Sequence, residues 1–151
     1  MTWHIARIDP AHLYRVRRDL DGLAEVYCPV VRFARKVRHR VVSSQRPLML
    51  DYVFVGCAPS PEAWRAIRRT RGVVELLTGA GEPANGVPWE CPAEVVETIR
   101  AHEAAGEYDL ARRYFDAQLR DKLRRRELRG RKFRLSDLPQ VMDMMASQPA
   151  G

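Results

Sequence analysis

Four histidines, three cysteines and a set of glutamates are the residues of this 151-residue chain best suited to covalent or acid–base chemistry. His4, His12, His39 and His102 lie far apart in sequence, and no serine or cysteine sits in a Gly-x-Ser-x-Gly turn. Gly79-Ala80-Gly81-Glu82 lacks the remaining glycine pattern and the lysine of a phosphate-binding loop. Cys28, Cys57 and Cys91 form no Cys-x-x-Cys pair and have no histidine at zinc-ligand spacing, so they read as reduced packing residues. Glu94, Glu97 and Glu103 share one predicted helix and read as its solvated face. The expectation is a protein that is not an enzyme, with no catalytic residue, no metal and no cofactor.

Binding is the chemistry that remains. Lys and Arg number 26 against 19 Asp and Glu, a net charge of +7. Eleven cations between Arg112 and Arg134 face only Asp116, Asp121 and Glu127, so that segment carries +8 and the rest of the chain about −1. Arg124, Arg125, Arg126, Arg129, Arg131 and Lys132 make a charge density suited to salt-sensitive, sequence-independent phosphate contact. Phe133 is the one aromatic residue among these last cations, so base stacking is not the expected mode.

A second feature is the apolar window Arg46-Pro47-Leu48-Met49-Leu50-Asp51-Tyr52-Val53-Phe54-Val55-Gly56. Residues 51–57 read as a central strand that the fold itself requires. Met49 and Leu50 precede that strand, where the domain's own core is less available, and Tyr52 combines an apolar ring with a polar tip. Such side chains make good interface anchors.

The elements that position these residues follow from periodicity. Residues 3–8 alternate as a half-buried strand, and Asp9-Pro10 caps a helix whose Leu13, Val16 and Leu20 share a face until Gly22 ends it. Residues 23–28 and 30–38 read as extended segments bent at Pro29; Val31, Phe33 and Val37 face one side of the second, and Arg32, Lys36 and Arg38 the other. Residues 41–45 are expected at the tip or return of a hairpin, with Ser43-Ser44-Gln45 as a loop. Ser60-Pro61 starts a second helix with Trp64 and Ile67 inward, Gly72 stops it, and residues 73–77 form the last strand.

The order β-α-β-β-β-α-β predicts an α+β fold, a ferredoxin-like antiparallel sheet with helices on one face. A loop over 78–92 leads to a third helix at 93–104, broken by Gly106. A longer helix over 108–128 carries Ala111, Phe115 and Leu119 on one stripe, with Tyr114 beside it. Ser136 caps a final helix with Leu138, Val141, Met142 and Met145 at i, i+3, i+4, i+7 spacing. The expected organisation is a domain over 1–105 and a basic helical C-terminal extension over 106–151. At 46% hydrophobic and 30% charged residues the chain is one that folds. Its N-terminus lacks a signal-peptide run and no window is apolar enough to span a bilayer, so the expectation is a cytoplasmic protein with no membrane partner.

Taken in order, these landmarks resemble the N-terminal domain of the NusG family of transcription elongation and antitermination factors. The resemblance rests on Trp3-His4-Ile5-Ala6-Arg7, Tyr27-Cys28-Pro29, Pro47 through Val55, Trp64-Arg65-Ala66-Ile67, Thr70-Arg71-Gly72-Val73, and Gly81-Glu82-Pro83 with Val87-Pro88, collinear over roughly residues 1–105. Two departures stand out. Leu50-Asp51 replaces the family's Pro-Gly or Pro-Asn before the tyrosine, and the glycine-rich C-terminal barrel of the family, the KOW domain, is replaced by basic helix.

The resemblance implies binding to RNA polymerase in the elongation complex, through an apolar depression that grips the clamp helices of the largest subunit. The matching positions are Trp3, Met49, Tyr52 and Phe54, with Leu50 a neighbour in the same expected surface. It also implies contact of Arg15, Arg18 and Arg71 with DNA of the transcription bubble, the C-terminal cations lying near that DNA or nascent RNA. The expected outcome is processive elongation, by antipausing or antitermination, from a protein that is monomeric when free. Two other readings compete: a free-standing RNA-binding protein of ferredoxin-like fold that never touches polymerase, and a small adaptor that docks another protein through the stripe of Leu138, Val141, Met142 and Met145.

Overall fold

A computed structural model provides the structure, and residues 1–130 are described below. β1 (Thr2–Ile8) is followed by a 3-10 turn (Pro10–His12), α1 (Leu13–Asp19), β2 (Ala24–Tyr27), β3 (Val30–Val37), β4 (Arg40–Pro47), β5 (Tyr52–Cys57), α2 (Pro61–Arg69), β6 (Val73–Leu76), α3 (Ala93–Ala104) and α4 (Leu110–Gly130). The order matches the α+β expectation. Met1–Arg32 with Gln45–Tyr108 forms one compact unit, and Phe33–Ser44 groups with the described residues from Asp109 as another.

The first unit holds a four-stranded sheet in the order β2-β5-β1-β6, with every pairing antiparallel. β5 lies inside it because Val53 through Cys57 are buried on both faces, which only a central strand can satisfy. Strand alternation then sorts side chains into two cores. Ala6, Ile8, Val53, Val55 and Cys57 meet Val16 of α1, Leu20 at its C-terminal cap, and Ala63 and Ile67 of α2 on one face. Trp3 and Phe54 point to the opposite face and meet Cys91 and Val96. The sequence accounts for the first of these layers; the second, built by α3, covers the face it left open.

The caps form as their residue types require. The Asp9 carboxylate accepts from the Ala11 amide at 3.0 Å and the Ser60 hydroxyl accepts from the Ala63 amide at 3.2 Å, each ahead of a proline at the first helical position. Gly72 permits a close approach: at φ +100°, a Cβ there would lie 2.6 Å from His12 Cβ and 2.9 Å from Val16 Cγ2. Glycine thus allows the exit of α2 to lie against α1.

β3 and β4 form a separate two-stranded sheet. Ser43-Ser44-Gln45 therefore belongs to a strand, and the tip is Arg38-His39 with Arg38 at φ +54°. Serine and glutamine are tolerated in β4 because most of that strand faces solvent. The expected alternation of β3 also fails at its outer end, where Val37 is exposed along with Lys36. No helix among the described residues is long and apolar enough to cross a membrane.

Candidate interaction surfaces

The second face of the sheet is closed by a short chain of interactions. After β6, the Trp89 amide donates to Leu77 O at 2.9 Å and the Cys91 amide to Trp3 O at 2.7 Å, which carries the chain along the sheet and delivers α3 over Trp3 and Phe54. Gly56 lies beneath: a Cβ there would sit 3.1 Å from the Trp3 ring. Glu103, in the last turn of α3, accepts from Tyr27 Oη at 2.7 Å and from the Val30 amide at 3.1 Å. Burial, reinforced by the Glu103 carboxylate, holds the Tyr27 hydroxyl far above its ordinary value. Arg100 stacks over Trp3 and Tyr27, 5.2 and 4.6 Å from the ring centroids, and pairs with Glu25.

This closure corrects part of the expected polymerase-binding patch. Trp3 is 6% and Phe54 2% exposed, so neither is a surface anchor; Cys91, Val96 and Ile99 already occupy the space above them. Met49 is half-buried and packs on the same cluster, Tyr52 is half-buried, and Leu50 is 66% exposed. Met49, Leu50 and Tyr52 do come together, in a turn closed by the Tyr52 amide donating to Met49 O at 3.1 Å.

Leu50 is the first central residue of that turn, at φ +56°, whereas Asp51 keeps a negative φ. A proline, fixed near −65°, cannot take that place, so the Leu50-Asp51 departure reverses the sign of the backbone at the turn. Asp51 O accepts from the Ile8 amide at 2.8 Å and ties the turn to β1. Beside it the cross-strand row Tyr52, Arg7, Glu75 places polar groups, with Arg7 Nε 3.2 Å from Glu75 Oε1. The remaining surface is one exposed leucine flanked by a half-buried methionine and tyrosine and bordered by an ion pair.

The first group of expected nucleic-acid contacts lies on α1 and at the exit of α2. Arg15 and Arg18 both lie near Asp19, at 3.9 and 2.8 Å, and Arg71 is exposed next to Gly72, which abuts α1. Two neighbours escaped the sequence reading: Arg17 is exposed, and Tyr14 is 81% exposed on the same helix. An aromatic at that exposure among arginines offers a stacking surface. The signal was present as a tyrosine outside the Leu13/Val16/Leu20 face.

In the second unit, Arg124, Arg125 and Arg126 are exposed on α4, Arg125 pairing with Asp121 at 3.0 Å. Arg129 lies on α4, while Arg131, Lys132 and the helix expected after Ser136 fall outside the described residues. The expected stripe is buried only at Ala111; Phe115 and Leu119 are 39% and 57% exposed.

The histidines and cysteines show no assembled chemistry among the described residues. His4 is buried, its Nδ1 at 2.9 Å from Trp89 O; a carbonyl only accepts, so Nδ1 carries the proton. The three thiols are buried, and burial pushes each above its ordinary value, away from the reactive thiolate. No group of three His, Cys, Asp or Glu among these residues is placed to hold a metal ion.

An antiparallel sheet with two helices on one face and a third on the other defines an α+β domain whose exposed features are an apolar turn and basic helices. Residues 1–100 match the family model described as Transcription termination factor nusG, and the chain belongs to that family. Among solved structures, NusG of Thermotoga maritima ("Domain interaction in Thermotoga maritima NusG") is similar at 18% identity and a TM-score of 0.48, over 72% of this chain and 60% of that one. The chain thus spans 60% of the length of that relative. Comparison with curated proteins gives no match.

Proposed function

We propose that this chain is a NusG-type transcription factor that binds RNA polymerase in the elongation complex and promotes processive elongation. The polymerase-binding surface is the turn of Met49, Leu50 and Tyr52, and its partner is the pair of clamp helices of the largest subunit. The single observation that carries this reading is Leu50: a large apolar side chain held 66% exposed by a backbone of positive φ serves no packing purpose in the domain itself. Arg15, Arg18 and Arg71, joined by Arg17 and Tyr14, face DNA of the transcription bubble. Arg124, Arg125 and Arg126, with the cations that follow, lie near that DNA or the nascent RNA. On this reading residues 1–105 are the polymerase-binding domain and residues 106–151 the nucleic-acid-facing extension.

A pull-down with core RNA polymerase, combined with terminator read-through, tests the proposal. Wild-type protein should be retained and raise read-through, and the Met49→Ala, Tyr52→Ala variant should lose both while staying folded. Equal retention and read-through by the two proteins overturns the polymerase reading. Tight binding to isolated RNA, unaffected by that variant and accompanied by no retention on polymerase, favours the free-standing RNA-binding alternative.

A further inference from the structure

Among the described elements, the β3–β4 hairpin is the most one-signed. Residues 30–47 contain Arg32, Arg35, Lys36, Arg38, Arg40 and Arg46, and no Asp or Glu occurs between Glu25 and Asp51. The other basic elements carry their own counter-charges: Asp19 lies beside Arg15 and Arg18 on α1, and Asp116 and Asp121 beside Arg112 and Arg125 on α4. The hairpin has no carboxylate within its strands to do the same. Its cations are exposed, and so are Val37, Val41 and Val42 near the tip. Along β3, Arg32 and Lys36 project to one face and Arg35 to the other, so positive charge surrounds the ribbon.

We propose that this hairpin is a DNA-binding ribbon that tracks the phosphates of a duplex and enters its major groove. Three arguments select duplex DNA. A two-stranded antiparallel ribbon is of a width that the major groove of B-form DNA admits, whereas the corresponding groove of an RNA duplex is deep and narrow. Single strands are gripped by stacked aromatic rings, and Phe33 is the hairpin's one aromatic residue. The exposed valines beside the tip offer apolar contact of the kind a thymine methyl group accepts. The assignment goes beyond the polymerase reading and stands without it, since it concerns the free protein and DNA alone.

The test is fluorescence anisotropy of a labelled, mixed-sequence DNA duplex titrated with the full chain between about 50 and 200 mM salt. The Arg35→Gln, Lys36→Gln, Arg40→Gln variant removes three charges and should lower the slope of log affinity against log salt by about 2.7, with at least about tenfold weaker binding at the lower salt. The Arg35→Lys, Arg40→Lys variant keeps the charge and should retain wild-type slope and affinity. An unchanged slope in the glutamine variant overturns the proposal, as does equal loss in the lysine variant, which would mark a structural role. Single-stranded DNA or an RNA duplex bound as tightly as the DNA duplex also overturns it.

Discussion

Tyr27 Oη donates to Glu103 Oε2 across 2.7 Å, joining β2 to the last turn of α3. The same carboxylate accepts from the Val30 amide, so one side chain at the end of α3 satisfies two groups on the strand side. Glu103 read from sequence as part of a solvated face; the structure makes it the latch that holds α3 over Trp3 and Phe54. Removing it leaves a half-buried hydroxyl and an amide without their acceptor. Glu103→Ala should lower stability by about 2 kcal/mol, and Tyr27→Phe, which removes one of the two bonds, by about 1 kcal/mol. Urea unfolding checks both, and the double variant should cost less than the sum because the two residues share a bond.

The latch has a pH signature. The Tyr27 hydroxyl is raised above its ordinary value of 10.0, first by burial and then by Glu103, and the buried thiols are raised above theirs of 9.0. A raised value means that the folded state holds the proton more tightly than the unfolded chain does. The stabilisation is therefore complete below the unfolded-state values and is lost as pH climbs through them toward the folded ones. Stability should fall above about pH 9 from these groups, and Tyr27→Phe should flatten the part of the fall above about pH 10. Chemical denaturation across alkaline pH measures this, and an identical decline in Tyr27→Phe would remove Tyr27 from the account.

Core and surface separate cleanly within the apolar set first grouped as one patch. Trp3→Ala and Phe54→Ala each empty a space under α3 and should cost about 3–5 kcal/mol, so any loss of polymerase binding would follow from unfolding. Met49→Ala and Tyr52→Ala remove half-buried groups and should cost about 1–2 kcal/mol, leaving a folded protein whose retention on polymerase reports on the surface itself. Thermal melts alongside the pull-down distinguish the two groups.

Much of the fold was legible because the decisive residues act locally. Asp9-Pro10 and Ser60-Pro61 mark helix starts whatever the tertiary structure, and the unbroken apolar run from Val53 to Cys57 has no place except a central strand. The second core was not legible, because it depends on where a glycine- and proline-rich loop delivers α3. The sequence of α3 shows only Val95, Val96 and Ile99, and nothing in that spacing says which sheet face they cover. For the same reason Trp3 and Phe54 looked like anchors: an aromatic on a sheet face has the same pattern whether a partner or the chain's own helix covers it. The hairpin's Ser43-Ser44-Gln45 failed differently, since turn-forming composition was outweighed by pairing with β3, which is exposed enough to accept polar residues.

The turn at Leu50 allows stability and binding to be driven in opposite directions. Leu50 sits at φ +56°, where a Cβ is disfavoured by about 1–2 kcal/mol and glycine is not; glycine in turn loses about 0.5–1 kcal/mol through the freedom of the unfolded chain. Leu50→Gly should therefore stabilise the fold by up to about 1.5 kcal/mol. The same change removes the exposed leucine on which the proposed polymerase contact depends, so retention on polymerase should fall by about tenfold or more, as for the loss of a central anchor. Leu50→Pro should lower both: its fixed negative φ opposes the turn, so stability should drop by more than about 1 kcal/mol, and the leucine on which the proposed contact depends is lost as well. Urea midpoints and quantitative pull-downs on the two variants read both quantities, and a glycine variant that gained stability while keeping full polymerase retention would show that Leu50 is exposed for some reason other than that contact.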